Sequence, residues 1–215
     1  MTPGWEAVHV GELDAIPLFD GLVWRPLRRR LGVKAFGINA YTSEQPGGLV
    51  VEEHDELQGG AGGHEEVYVV LSGRATFTID GERRDAPAGT LVFVSDPALK
   101  RKAVAEEVGT VVLAIGGEPG RAYAVAPWEY YFAAIPAFRE ERWEEAIALM
   151  HEGLAELPGH PALLYNLACA EARAGRGDEA LTHLGQSVAG DEKYAEQARN
   201  DPDFDAIREL PGFPG

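Results

Sequence analysis

Four side chains between residues 54 and 66 have the chemistry of metal ligands. They are His54, Glu56, His64 and Glu66, and imidazole nitrogens with carboxylate oxygens suit a divalent ion such as iron, manganese, zinc or nickel. His64 and Glu66 are two residues apart, so on a strand that includes both they lie on one face. The opposing interpretation is a solvated strand entrance at Glu66 with two exposed loop histidines, and the sequence leaves both open.

Asn39 and Tyr41 are candidates for lining a ligand pocket. They lie in segment 33–42, which is predicted to be a strand, and alternate residues of a strand share one face. An amide and a phenol on the inner face of a sheet would give a cavity polar contacts. We therefore expect both side chains to contact a small-molecule ligand.

Up to about residue 121 the sequence is typical of short strands joined by turns. Most of its 26 glycines lie in this part, between brief apolar runs. In segment 74–80 apolar and polar residues alternate, and Asp80-Gly81 suits a tight hairpin turn. So many short strands favour a sandwich or barrel. The other predicted strands are 33–42, 48–53, 67–71, 90–94, 100–105 and 110–115.

From residue 126 onward the pattern changes to that of helices. Apolar residues in segment 143–150 follow the spacing of three and four that is typical of a helix face. This segment aligns with 177–184 at an offset of 34 residues, and small residues recur at the same offset. Pro136 predicts a short or bent first helix, and segment 194–210 is expected to act as a terminal cap.

Segments 65–73 and 81–94 resemble the two motifs of the cupin superfamily. Glu66 and Gly73 have the spacing that ends the first motif, and the turn 87–90 resembles the lead-in to the second. The resemblance covers roughly residues 32 to 118. It implies a small jelly-roll barrel with its ligand site inside.

The resemblance also implies a degenerate metal site. Cupins usually hold a metal ion with a His-x-His pair, a Glu and a later His. Counting back from Glu66 reaches residues that cannot bind a metal, whereas counting forward from segment 46–48 reaches His54 and Glu56, with 57–63 as an inserted glycine-rich loop. On this alignment His54 and Glu56 replace the pair.

The position of the later histidine falls at about Lys100. A protonated lysine has three donors and no lone pair, so it opposes a cation. Lys100 is therefore expected in the pocket, where it would hold an anionic ligand or pair with Glu66.

The 34-residue repeat resembles tetratricopeptide repeats over about residues 127 to 191. The predicted fold is multidomain α and β. An all-β cupin-like jelly-roll barrel at 1–124 is followed by an all-α tetratricopeptide-like domain at 125–215, with about two units and a C-terminal cap. Because two units are fewer than an independent solenoid usually needs, we expect them to lean on the barrel.

Charge and cysteine content exclude several classes of protein. The formal net charge is 19 − 35 = −16, which disfavours nucleic acid and anionic membranes as partners. One cysteine cannot form an intramolecular disulfide, and no apolar run is as long as a membrane helix. We expect a cytoplasmic protein in a reducing compartment.

Three functional hypotheses follow. The first is a small-molecule-binding barrel with a degenerate metal site, non-catalytic or regulatory, joined to a helical module that binds a protein or peptide. The second is a metal-dependent cupin enzyme of the dioxygenase or isomerase type. The third is a structural role in which the barrel forms a homodimer. Fold alone does not choose among them.

Overall fold

The computed structural model describes residues 6–57 and 63–214. Most of the predicted loop 57–63 therefore lies outside the described residues. The chain divides into two compact units, Met1–Ala126 and Pro127–Gly215. This division falls two residues after the predicted boundary.

The N-terminal unit consists of two antiparallel sheets. One sheet has the order β1-β2-β3-β10-β5-β8, and the other has the order β4-β9-β6-β7. A five-residue helix, α1 (Leu27–Leu31), follows β2. The strands are β1 (Ile16–Pro17), β2 (Leu22–Arg25), β3 (Gly37–Ser43), β4 (Leu49–His54), β5 (Glu65–Ser72), β6 (Arg74–Ile79), β7 (Glu82–Pro87), β8 (Leu91–Val94), β9 (Arg101–Ala105) and β10 (Thr110–Gly117).

The core of this unit lies between the sheets. Alternate residues of each strand point inward, as Ala75 and Phe77 do on β6, because successive side chains of a strand face opposite ways. The rings of Tyr68 and Phe77 meet with centroids 5.5 Å apart. The buried cluster consists of Val50, Val51, Tyr68, Val70, Ala75, Phe77, Ala86, Val94, Ala103, Ala105 and Val112.

An irregularity in β4 redirects its last residue. Val51 pairs with Ala103 of β9, but the next pair joins His54 to Arg101, so three steps on β4 face two on β9. Such a bulge reverses the alternation of side chains beyond it. Glu53 is consequently exposed, and His54 is partly buried on the side of Arg101.

The C-terminal unit is helical throughout its regular structure. Its helices are α2 (Trp128–Arg139), α3 (Trp143–Glu156), α4 (Pro161–Arg173), α5 (Gly177–Gly190) and α6 (Lys193–Asn200). Helix α5 begins and ends 34 residues after α3 does, as the repeat predicts. Helix α2 continues past Pro136 to Arg139, although the proline cannot donate a backbone hydrogen bond.

Close packing explains a small residue of the first repeat. A Cβ atom on Gly153 would lie 2.9 Å from the ring of Tyr130 and 3.0 Å from Leu163. Glycine at this position lets α3 approach both α2 and α4. At the equivalent position of α5, Ser187 is fully buried and its hydroxyl donates to the carbonyl of Pro161 at 2.9 Å.

The segment predicted as a cap forms α6 and a 3₁₀ turn, and it packs on α4. Phe204 is fully buried against Tyr165 with ring centroids 5.4 Å apart, and Tyr194 also stacks near Tyr165. No helix among the described residues is both long and apolar enough to cross a membrane.

Candidate metal centre

The structure brings three of the predicted ligands together at one end of the strand unit. His54 ends β4, Glu56 follows it in a turn, and Glu66 lies on β5. His54 Nε2 is 3.2 Å from Glu56 Oε1 and 3.6 Å from Glu66 Oε2. One ligand atom from each residue lies within 4.8 Å of the other two. This is a compact set of one nitrogen and two oxygen donors.

The imidazole of His54 is oriented by its own strand. Its Nδ1 atom lies 2.8 Å from the carbonyl oxygen of Glu52, and because a carbonyl oxygen can only accept, Nδ1 is the donor in this hydrogen bond. This leaves Nε2 facing the two carboxylates, an arrangement typical of metal-binding histidines. Burial lowers the pKa of His54, but hydrogen bonds to Glu56, Glu66 and the Glu52 carbonyl outweigh it and raise the pKa to about 10.

Glu66 is held from several sides. Its Oε2 atom accepts a short hydrogen bond from the hydroxyl of Tyr68 and lies 3.3 Å from Arg101 Nε. Burial raises the pKa of Glu66, but hydrogen bonds from His54 and Tyr68, with the nearby positive charges, lower it overall. Burial raises the pKa of Tyr68 well above its usual value, and the same carboxylate raises it further. Glu66 is therefore a fixed carboxylate.

A glycine of β10 makes room for this side chain. A Cβ atom on Gly116 would lie 3.0 Å from Glu66 Cγ and 3.2 Å from the carbonyl of Glu65. Gly116 is paired with Glu66 across the sheet, so both occupy the same inner row. Glycine at this position allows the Glu66 side chain to lie flat over the strand.

Arg101 occupies the position that the sequence assigned to Lys100. Strand β9 begins at Arg101, whose side chain is completely buried, whereas Lys100 is exposed. Arg101 Nη1 donates to the carbonyls of Pro97 and Leu99 at 3.3 and 3.0 Å. The structure thus departs from the prediction at Lys100: the cation beside Glu66 is an arginine one residue later.

His64 lies beside the three-residue cluster rather than within it. Its Nδ1 atom is 3.7 Å from Glu56 Oε2, and its ring lies 5.9 Å from that of Tyr123. The side chain keeps 17% of its surface exposed. His64 therefore lies within reach of Glu56.

Asn39 and Tyr41 lie on the inner face of the six-stranded sheet. Asn39 pairs with Ala114, which pairs with Tyr68 on its other side, and paired residues point to the same face. Asn39 is buried, and its side-chain oxygen has no hydrogen-bond donor among residues 6–57 and 63–214. Tyr41 is half-buried one position along the same row of β3.

Sequence reasoning missed Tyr68 and Arg101. Tyr68 could have been found, because it follows Glu66 by two residues and shares its strand face. Arg101 also had a signal, since Ala103 and Ala105 fix the inward positions of β9 and point back to residue 101. The strand was predicted to begin at Lys100, and this alternation was not used to choose its inward residues.

A second group of metal-type side chains lies in the helical unit. Cys169, Asp201 and Asp203 come within 4.8 Å of one another. Asp201 accepts from the Tyr165 hydroxyl at 2.7 Å and from the backbone of Asp203 at 3.0 Å, where it caps the 3₁₀ turn. Burial raises the pKa of the Cys169 thiol well above its usual value. We interpret this group as part of the cap.

Comparison with known proteins supports the two-part organisation. A family model described as tetratricopeptide repeat matches residues 137–208, a third of the chain. No curated protein matches the sequence. The predicted organisation, a strand-rich part followed by helices with a tetratricopeptide repeat, is confirmed by the element order and this match.

Solved structures similar to this chain include cupin proteins, which match about half of it. An RmlC-like cupin from Shewanella frigidimarina is 15% identical over 53% of this chain and 91% of its own, with a TM-score of 0.39. A sugar phosphate isomerase from a cupin superfamily, from Silicibacter pomeroyi, is 15% identical over 53% and 76%, with a TM-score of 0.44. A polyketide cyclase from Streptomyces resistomycificus is 16% identical over 59% and 92%, with a TM-score of 0.42.

Proposed function

We propose that the strand unit is a small-molecule-binding barrel that holds one divalent metal ion through His54, Glu56 and Glu66. The supporting observation is the convergence of these three donors within 4.8 Å. Iron, manganese, zinc and nickel all accept one imidazole and two carboxylates. The ion would act as a Lewis acid toward an oxygen atom of a bound ligand.

The surrounding residues fit such an ion by orientation and by charge. His54 already directs Nε2 at both carboxylates, and a metal ion would take the place of its proton. Two carboxylates, Arg101 and a divalent ion have formal charges of −2 + 1 + 2 = +1. A site of this charge suits an anionic ligand, and Arg101 Nη2 has no acceptor among the described residues.

The chain's own residues then have separate roles. Arg101 and Tyr68 hold Glu66 in place. His64 lies beside Glu56, and Asn39 supplies an acceptor on the inner face of the sheet. The proposed role is to bind a ligand in a non-catalytic or regulatory protein.

The alternative is a metal-dependent enzyme of the dioxygenase or isomerase type. The observation that favours it is the small number of donors, because three protein ligands leave coordination positions open, as in catalytic zinc sites. In this case the same three residues would hold the ion, and His64, beside Glu56, would be a group able to move a proton.

The helical unit is proposed to bind a protein or peptide. Its formal charge is 7 − 17 = −10 over residues 127–215, and stacked helix pairs offer a groove to extended or helical segments. An acidic surface attracts basic partners. We therefore propose a lysine- or arginine-rich segment as its partner.

Metal loading tests the first proposal. Purified, untagged protein is incubated with Fe²⁺, Mn²⁺, Zn²⁺ or Ni²⁺ in turn, passed through a desalting column and subjected to elemental analysis. The expected result is close to one ion per chain for at least one metal, because His54, Glu56 and Glu66 together offer three donors to a single ion. A chain that retains none of the four metals contradicts the proposal.

Fluorescence anisotropy tests the partner proposal. A labelled lysine- and arginine-rich peptide is titrated with the full chain, with a glutamate-rich peptide of equal length as control. The basic peptide should bind, and its affinity should fall as the salt concentration is raised. Salt weakens the attraction between charges, because it screens them over about 10 Å at 0.1 M. Equal affinity for both peptides, or no binding to either, would reject a basic partner.

A further inference from the structure

Small residues line a strip of the inner sheet face beside Glu66. Gly37 of β3 pairs with Gly116 of β10, and Gly116 pairs in turn with Glu66 of β5. In the next row the inward residue of β10 is Ala114. Gly116 and Ala114 both remain partly exposed, although they lie on the inner face. Gly37, Ala114 and Gly116 therefore form the floor of a recess beside Glu66, the ligand recess.

Asn39 lies on the side of the ligand recess opposite to Glu66. Its strand, β3, is separated from β5 by β10, which makes the two strands roughly 10 Å apart at about 4.8 Å per step. Asn39 is only 5% exposed, and its Oδ1 atom accepts no hydrogen bond from the described residues. Because a buried polar atom without a partner is costly, a ligand that donates to Oδ1 would stabilise this position.

The end of the recess at Glu66 is the one that attracts an anion. Arg101 is completely buried there, and its Nη2 atom has no acceptor among residues 6–57 and 63–214. With the divalent ion of the proposed function, on which this inference rests, the formal charge of this end is positive. One carboxylate neutralises it, whereas a phosphate group, with a charge of about −2, would leave it negative. Since uncompensated charge is unfavourable in a buried site, a carboxylate suits this end better.

An aromatic ring lies at the border of the ligand recess, against Gly37. A Cβ atom on Gly37 would lie 3.0 Å from Cε2 of Tyr123 and 3.1 Å from its hydroxyl oxygen. The ring of His64 is 5.9 Å from that of Tyr123. A floor of glycine and alanine bordered by flat side chains suits a planar ligand, because aromatic groups pack by stacking or by edge-to-face contact.

We propose that the ligand recess binds a small planar carboxylate that carries a hydroxyl group at its far end. The carboxylate lies at the Glu66 end, and the hydroxyl donates a hydrogen bond to Asn39 Oδ1. The body of the ligand covers Ala114 and Gly116. Asn39 is then the residue that determines specificity, because it selects hydroxylated ligands over analogues that lack the hydroxyl group.

Ligand-observed NMR titration with 4-hydroxybenzoate and with benzoate tests this proposal on the full chain. The two probes differ only in the hydroxyl group, so the ratio of their dissociation constants measures its contribution. Metal-loaded wild-type protein should bind 4-hydroxybenzoate roughly two- to tenfold more tightly than benzoate, which is the effect of about one net hydrogen bond.

Two variants locate the binding site. Asn39→Leu keeps a side chain of similar size but removes the acceptor, so the two affinities should become equal while that for benzoate stays nearly unchanged. Ala114→Leu should fill the recess and weaken the binding of both probes at least tenfold. Ala88→Leu is the matched control, because it makes the same change in an exposed turn, and it should bind both probes as the wild-type protein does.

The outcome for this inference is separate from that for the metal ion. Elemental analysis of the same samples reports on metal retention. In chelator-treated protein both probes should bind more weakly, but the preference for the hydroxyl group should remain, since Asn39 is not one of the three metal donors. A chain that keeps this preference without retaining metal contradicts only the proposed function. Equal affinities in the wild-type protein, no binding of either probe, or a preference that survives in folded Asn39→Leu would overturn the inference.

Discussion

Replacing His54 by Ala should abolish metal retention. His54 supplies the one nitrogen of the three-donor cluster, and its Nε2 atom faces both carboxylates. Loss of a group that merely orients a ligand costs about 10- to 100-fold in metal affinity, so loss of a ligand itself should cost more. The metal content measured by elemental analysis after desalting should therefore fall from about one ion per chain to background.

Two other histidine variants make this prediction specific. His151→Ala removes an exposed histidine of the helical unit and should leave the metal content unchanged. His64→Ala should weaken retention less than His54→Ala, because His64 contacts Glu56 and lies outside the three-residue cluster. Full metal content in His54→Ala would remove this residue from the site.

Glu66→Gln should strongly destabilise the strand unit even without metal. The change preserves the size of the side chain but leaves completely buried Arg101 without the carboxylate that pairs with it at 3.3 Å. Breaking one partner of a buried ion pair costs about 3–5 kcal/mol in the free energy of unfolding. Denaturant unfolding in the presence of a chelator measures this loss apart from metal binding.

A double substitution separates the lost pair from other effects. Glu66→Gln/Arg101→Met removes both charges, so it should recover part of the stability lost in Glu66→Gln, as expected for directly interacting residues. Glu65→Gln changes the exposed neighbour and should have little effect. Additive losses in the double variant would mean that Arg101 and Glu66 do not stabilise each other.

The elements predicted best are those whose local pattern agrees with their position in the fold. Strand β6 alternates as predicted, and its turn to β7 uses Asp80 and Gly81 at φ of 47° and 85°, the conformation that two-residue hairpins require. The 34-residue offset likewise predicts that α3 and α5 are equivalent helices of the repeat. Strand β7 was missed because Glu82–Pro87 is an exposed edge with four charged residues, which hides its apolar face.

The candidate site was less accessible to sequence reasoning, because its geometry depends on the partner strands. Alternation along β4 would turn Glu53 inward, and the bulge that turns His54 inward instead is visible only in the pairing of β4 with β9. The prediction placed Lys100 beside Glu66 instead of Arg101 for the same reason. A shift of one residue in strand register decides which of the two side chains is buried.

Anomalous X-ray diffraction from crystals of the metal-loaded protein tests whether His54, Glu56 and Glu66 hold the ion. Data collected on both sides of the absorption edge of the bound metal locate the ion and identify its element. We expect one anomalous peak between His54 Nε2 and the carboxylates of Glu56 and Glu66. A peak elsewhere in the chain, or a cluster without a peak in protein saturated with each of the four metals, would contradict it.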